Sequence, residues 1–333
     1  MMSDLRVREA AELREMLRVQ RYFIDDQTAL TVAVWLEDRS GPLVLEGPPG
    51  SGKTSLAKCL AATRSAPLYR LECYKSIGRR QALYDWDERL QEIELKRWVK
   101  RHGELPEAAA AVIYQPQMMI AGVLTRALMD PNPDVFVLIN ELDKIPDQEA
   151  FEALLLEYLD EHAITVPETG ERIRAAAEKP PHTIITSNAG VYGASLRDSL
   201  SYPVLRRGKY VYLPEADRDR QYAILRQAAP KLNPVVLRDA VLFVEKASQW
   251  ELQKPIALSE TIMWARSLEW LGVTELTEQV ILSSLPDLAK SREDAERLGS
   301  AIKYLLQYVS NHRTSISLEG EPSNPACVES YTR

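Results

Sequence analysis

The residues with the clearest chemistry are Gly47-Pro48-Pro49-Gly50-Ser51-Gly52-Lys53-Thr54, which fit the pattern G-x-x-x-x-G-K-[ST]. Gly50 and Gly52 carry no Cβ, so a loop built on them turns tightly and aims its amide N–H groups at an anion. A helix beginning where the loop ends adds the positive end of its dipole at the same point. Lys53 then reaches the outer phosphates of a nucleotide, and the Thr54 hydroxyl is suited to the octahedral oxygen shell of Mg²⁺. Ser55, the next residue, completes the predicted phosphate-binding set. A glycine-rich turn that merely carries Lys-Thr is the plainer alternative.

Transfer of a phosphoryl group to water needs a metal at the phosphates, a group that orients the water, and positive charge in the transition state. The run Asn140-Glu141-Leu142-Asp143 follows the apolar stretch Val135-Phe136-Val137-Leu138-Ile139. It therefore lies at the carboxyl end of a buried strand, where open parallel sheets bind their ligands. Glu141 is the candidate to polarise the attacking water. Asn188, closing the apolar stretch that starts at His182, is the candidate to hold the terminal phosphate or that water. Arg206 and Arg207, just before the last predicted strand, are candidates to reach a phosphate in an adjoining subunit. Each has a plainer reading as well: a surface carboxylate, a turn or cap asparagine, a basic turn.

These side chains need a scaffold, and the pattern supplies one. Strands are predicted at 42–46, 67–73, 135–139, 182–188 and 210–213, and a hairpin joins 163–166 to 172–173 through Glu168-Thr169-Gly170. Helices are predicted at 3–20, with Leu13, Met16 and Leu17 on its apolar face, and at 27–37, 55–61, 116–129 and 151–158. The segment 86–100, strongly charged, reads as a helix standing off the core, either a solvated surface helix or an insertion that touches a partner. Another helix is expected over 196–205 with a break near Pro203, followed by a turn at Arg206-Arg207-Gly208. Beyond Pro214 strands cease, and helices follow at 218–229, 235–248, 259–271, 277–285 and 294–309. The expected organisation is an α/β nucleotide-binding domain over 1–213, a smaller all-helical domain over 214–312, and a flexible polar tail over 313–333.

Composition narrows the class. The 333 residues are 45% hydrophobic and 27% charged, as in a globular protein, with a formal net charge of -7. That acidic balance disfavours nucleic acid as the main partner, since phosphate contacts need a basic face. No apolar run approaches the roughly 20 residues that span a bilayer, and the Arg- and Glu-rich amino terminus lacks a signal-peptide core, so a cytoplasmic protein with no membrane partner is expected. Cys59, Cys73 and Cys327 are too few and too scattered for a disulfide framework or a zinc site. His102, His162, His182 and His312 lack metal-ligand spacing and are expected on the surface or in loops.

Taken in order, the phosphate loop, Asn140-Glu141, Thr186-Ser187-Asn188, the Arg206-Arg207 pair and the helical region after Pro214 resemble an AAA+ ATPase. Within that superfamily the chain is similar to the MoxR branch over about residues 20–300. The residues that carry this are Ala82-Leu83-Tyr84-Asp85-Trp86, Phe151-Glu152-Ala153-Leu154-Leu155-Leu156-Glu157, Ile164-Thr165-Val166-Pro167-Glu168 and Ser259-Glu260-Thr261-Ile262-Met263-Trp264-Ala265-Arg266. The resemblance implies a P-loop AAA+ parallel sheet flanked by helices with a helical lid, and ATP and Mg²⁺ held through Lys53 and Thr54. It implies Glu141 as water activator, Asn188 as first sensor, and Arg206 or Arg207 as an arginine finger acting in trans. It also implies a homo-hexameric ring, a pore-side hairpin over 164–173, and chaperone-like remodelling of a protein client, often beside a von Willebrand factor A domain protein.

Two departures stand out. Where the family has Asp before the catalytic Glu, this chain has Asn140, which keeps a carbonyl for the metal shell but no charge, so slower hydrolysis or a nucleotide-gated binding module is the alternative expectation. A lid arginine is expected near the start of the helix holding Ser259, yet the nearest is Arg266. A nucleic-acid-acting motor is a further, weaker alternative.

Overall fold

The computed structural model describes residues 2–39, 41–75, 77–104, 109–145, 148–177, 179–188 and 202–313. Contacts divide the chain into residues 1–215 and 216–333. In the first unit nine strands are described: β1 (Leu43–Glu46), β2 (Leu68–Glu72), β3 (Tyr84–Trp86), β4 (Met119–Ala121), β5 (Phe136–Asn140), β6 (Ala163–Val166), β7 (Glu171–Arg174), β8 (His182–Ser187) and β9 (Lys209–Tyr212). Five form one sheet in the order β2-β5-β8-β1-β9, and every pairing in it is parallel.

Side chains alternate across a strand, and burial of both faces explains why β1 and β5 are apolar up to their last residues, Glu46 and Asn140. Leu43, Leu45, Phe136, Leu138 and Ile184 face one layer with Leu56 and Leu60 of the helix Lys53–Thr63 and Val32, Trp35 and Leu36 of the helix Asp26–Asp38. Val44, Val137, Ile139 and Ile185 face the opposite layer, with Leu124 and Leu128 of the helix Val123–Met129 and Phe151, Leu155 and Tyr158 of the helix Gln148–Glu161. Burial on both faces leaves polar residues room only at the strand ends, and that is where the candidate site lies.

The amino-terminal helix Met2–Val19 joins the first layer through Leu13 and Leu17, each contributing about 1.5–3 kcal/mol by full burial. Met16 is 45% exposed, so the seam is narrower than the three-residue face expected. The charged helix Glu88–His102 has no buried residue. Residues 163–166 and 171–174 form the antiparallel hairpin β6–β7, with Gly170 in the left-handed region at φ 71.

Several expectations are corrected. Residues 116–129 are not one helix: a short 3₁₀ turn at Pro116–Met118 leads into β4, and the helix starts only at Val123. Trp86 belongs to β3, paired antiparallel with Met119 of β4, and the helix after it begins at Glu88. Gly122 is the joint, because a Cβ there would meet the carbonyl oxygen of Leu83 at 2.6 Å. A three-residue ladder is too short to leave a periodic signature, so the long-range pairing overrode helical-looking spacing.

Residues 196–201 lie outside the described residues. Pro203 breaks nothing: it sits in the first turn of the helix Tyr202–Arg207, where a missing N–H costs no intrahelical bond. Arg206 and Arg207 form the last turn of that helix rather than a free turn. His182 is buried at the start of β8, its ring stacked on Phe136 and tilted against Trp35.

The second unit is all-helical among the described residues: Arg218–Ala228, Pro234–Ser248, Leu258–Trp270, Glu278–Leu288 and Arg292–His312. Its core gathers Leu225, Val236, Leu237, Ala240, Phe243, Trp264, Leu268, Ile281, Leu298 and Leu305. Trp264 Nε1 donates to Ser284 Oγ at 2.7 Å, which satisfies the one polar atom of a fully buried indole. Of the tail expected over 313–333, only Arg313 is described. Among the described residues no helix is long and apolar enough to cross a membrane.

Candidate functional site

The loop that leaves β1 is bent by glycines that need their freedom. Gly47, Gly50 and Gly52 lie at φ 156, 81 and 96, and a Cβ on Gly47 would stand 2.1 Å from the carbonyl oxygen of Leu213. Gly52 is the N-cap of the helix Lys53–Thr63 and offers no capping side chain, so the first-turn N–H groups are left for an anion. Tyr22 packs on this turn, with its ring 3.1 Å from where a Gly52 Cβ would be. Ser51 and Lys53 are buried, and the Lys53 ammonium folds back to donate to Gly47 O at 2.8 Å, Pro48 O at 2.8 Å and Ser51 Oγ at 3.4 Å. Burial lowers its pKa, opposed by the carboxylates of Asp143, Glu141 and Glu46. Pro49 and Ser55 are exposed beside the turn.

Asn140, at the end of β5, is the hub between this loop and the neighbouring strands. Its Oδ1 accepts from Thr54 Oγ1 at 2.8 Å and from Thr186 Oγ1 at 2.9 Å, and its Nδ2 donates to Glu72 Oε2 at 2.8 Å. An ionised carboxylate only accepts, so Glu72 fixes the orientation of the amide: NH₂ toward Glu72, carbonyl toward the two hydroxyls. The parallel register puts Glu72 opposite Asn140 across β2 and β5.

Glu141 follows at φ 58, a left-handed conformation costing about 1–2 kcal/mol in a residue with a Cβ. Its N–H is satisfied by Thr186 Oγ1 at 2.9 Å. One carboxylate oxygen accepts from Asn188 Nδ2 at 3.2 Å and the other pairs with Lys144. Burial raises the Glu141 pKa, but the bonds from Lys144 and Asn188 outweigh it and hold the carboxyl below its usual range. Pairing with Glu141 raises Lys144 in turn. Asn188 is anchored as well, its N–H donating to Asp143 Oδ1 at 3.0 Å. Glu46, the last residue of β1, is buried and accepts from Tyr210 Oη at 2.6 Å.

Lys53, Thr54, Asn140, Glu141 and Asn188 thus meet at the carboxyl edge of β1, β5 and β8. The arginines do not join them. Arg207 is tied within its own chain to Asp160, with Nη2 2.7 Å from Oδ2, and donates to Pro203 O at 2.8 Å. Arg206 is exposed and has no partner among the described residues. Arg266 is exposed on the helix Leu258–Trp270 of the second unit. Sequence reasoning assigned no role to Glu72, Lys144 or Tyr22, and none to Thr186 beyond its place in Thr186-Ser187-Asn188; for Glu72 a signal existed, since it sits near the carboxyl end of a predicted strand.

The residues present fit a nucleotide phosphate and a hard divalent cation. The loop bends at Gly47, Gly50 and Gly52 and leaves the first-turn N–H groups of the helix without a capping side chain, and Thr54 and Asn140 supply oxygen donors beside it. Among the described residues no group of three or more His, Cys, Asp or Glu side chains is placed to hold a metal ion.

Fold and site together define a P-loop domain of the AAA type: a five-stranded parallel sheet flanked by helices, followed by a helical carboxyl-terminal region. Residues 42–207 match the AAA domain (dynein-related subfamily), and this part of the chain is an AAA domain of that subfamily. No curated protein matches the chain. Two solved structures of RuvB from Thermotoga maritima are similar to it. One is a point mutant with TM-score 0.47 and 15% identity over 85% of this chain and 79% of that one. The other, described as a Holliday junction branch migration motor, has TM-score 0.42 and 14% identity over 82% and 72%.

Proposed function

We propose that this protein is a MoxR-like AAA+ ATPase that binds ATP with Mg²⁺ and works as an oligomeric ring, remodelling a protein client. The observation that carries the reading is the convergence of the Lys53 loop, the Thr54–Asn140 contact and the Glu141–Asn188 pair on one sheet edge. Lys53 leaves the Gly47 and Pro48 carbonyls for the outer phosphates, and loop and helix N–H groups complete the anion cradle. Thr54 and Asn140 hold the cation, which when bound neutralises charge on the phosphate oxygens. Glu141, kept ionised by Lys144 and Asn188, orients the attacking water. The hairpin β6–β7 is the element that meets the client.

Arg206 is the finger that reaches a neighbour's nucleotide, because Arg207 is already committed to Asp160. The test mixes inactive Lys53→Ala subunits with inactive Arg206→Ala subunits. Mixed interfaces combine two intact halves, so part of the lost ATP turnover returns. No recovery, or an inactivating Arg207→Ala with an innocuous Arg206→Ala, refutes the assignment.

Asn140 supports a second reading, a nucleotide-gated binding module with little hydrolysis, since its position lacks the charge that Asp supplies. Single-turnover hydrolysis measured against nucleotide affinity separates the two. The net charge of -7 weighs against a nucleic-acid motor, and turnover unaffected by DNA or RNA removes it.

A further inference from the structure

We infer that Glu72 supplies the negative charge that position 140 lacks, so that Glu72 and Asn140 together act as the anionic element of the metal shell. The inference rests on the nucleotide-binding reading above. An Asp at position 140 would set a second carboxylate against Glu72 at hydrogen-bond distance, where like charges repel. Asn140 turns that repulsion into a hydrogen bond, and in doing so aims its carbonyl at Thr54, the cation-binding hydroxyl. The Glu72 carboxylate stands at the end of β2, opposite Asn140 at the end of β5 and at the same level of the sheet.

Glu72 is held for this task. Its Oε2 accepts from Asn140, and Oε1 pairs with Arg70 two residues back on the same face of β2. Mg²⁺ keeps several waters, so a carboxylate one amide away from Thr54 acts on the ion through its water shell, polarising Asn140 in the same direction. Glu72 is a positioning residue in this scheme, and its charge, rather than its hydrogen bond, is what the metal feels.

Glu72→Gln isolates that charge, because a glutamine carbonyl still accepts from Asn140. The measurements are the Mn²⁺ affinity of the ADP complex, read by electron paramagnetic resonance, and ADP affinity in EDTA. In Glu72→Gln the Mn²⁺ affinity falls by about tenfold or more, the usual cost of removing an outer-shell carboxylate, while metal-free ADP binding is unchanged. In Glu72→Gln/Asn140→Asp the charge returns to position 140, and Mn²⁺ affinity recovers most of the loss. Wild-type Mn²⁺ affinity in Glu72→Gln overturns the inference, as does an equal loss of metal-free ADP binding, which would make Glu72 a scaffold residue. Failure of the wild-type protein to bind ADP in EDTA refutes the phosphate-loop reading itself, and the inference with it.

Discussion

Gly47→Ala tests the reasoning about the loop most directly. The new methyl carbon would lie 2.1 Å from Leu213 O, where ordinary contact begins at 3.4 Å, so roughly 1.3 Å of movement is required. The obstacle is backbone and does not give way easily, because the N–H of Leu213 is itself bonded to Glu46 O at 2.7 Å, the rung that ends the β1–β9 ladder. Overpacking of this kind costs about 1–3 kcal/mol. A loss of about 2 kcal/mol lowers hydrogen-exchange protection of the β1 and β9 amides about thirtyfold wherever exchange proceeds by opening of this unit. The loop is the softer of the two partners and moves with its phosphate ligands, and displacement by about 1 Å costs on the order of a hundredfold in turnover. The control is Gly170→Ala, at φ 71 with nothing within 4 Å of the added carbon. It carries only left-handed strain of about 1–2 kcal/mol, confined to the hairpin. The assay is peptide-resolved hydrogen exchange on both variants, with ADP titration in parallel. Unchanged protection of β1 and β9 and unchanged ADP affinity in Gly47→Ala would refute the argument.

Two further predictions concern protons. Lys144→Met removes the stronger of the two hydrogen bonds that hold Glu141 below its usual range, so burial is opposed only by Asn188 and Lys53 and the pKa rises. Acid loss of ATP turnover therefore sets in at higher pH than in the wild type, and an unmoved acid limb of the kcat profile counts against Glu141 as the ionised group. His182 is buried with Nε2 3.4 Å from Asp134 Oδ1, neither ring nitrogen has a hydrogen-bond partner among the described residues, and burial together with Arg39 and Arg64 outweighs the opposing pull of Asp134 and lowers its pKa below 6.5. A base with a lowered folded pKa takes up its proton first in the unfolded chain, so stability is full above pH 6.5 and falls as the pH drops below it. His182→Phe, which keeps the ring stack with Phe136, flattens that dependence in denaturant titrations at pH 7.5 and 5; a slope equal to wild type disproves the point.

The elements that the linear chain announces are those whose signal is local. Eight residues state the phosphate loop, because turn and cradle need Gly50, Gly52, Lys53 and Thr54 at fixed spacing. The stretches at 42–46 and 135–139 read as buried strands, because a sheet covered on both faces leaves polar residues room only at the strand ends. Helices after Pro214 were legible from their apolar period. Partners across the sheet were not, since a parallel register is fixed by how distant strands pack and leaves no mark on either one. Glu72 and Asn140 meet across 68 residues, Thr54 and Asn140 across 86, and Arg207 and Asp160 across 47. The three-residue pairing of β3 with β4 and the burial of His182 behind Trp35 belong to the same class. Only the tertiary structure pairs Arg207 with Asp160 and sets Glu72 of β2 beside Asn140. Spacing along a chain encodes period and turn; the meeting of two side chains depends on the packing of everything between them.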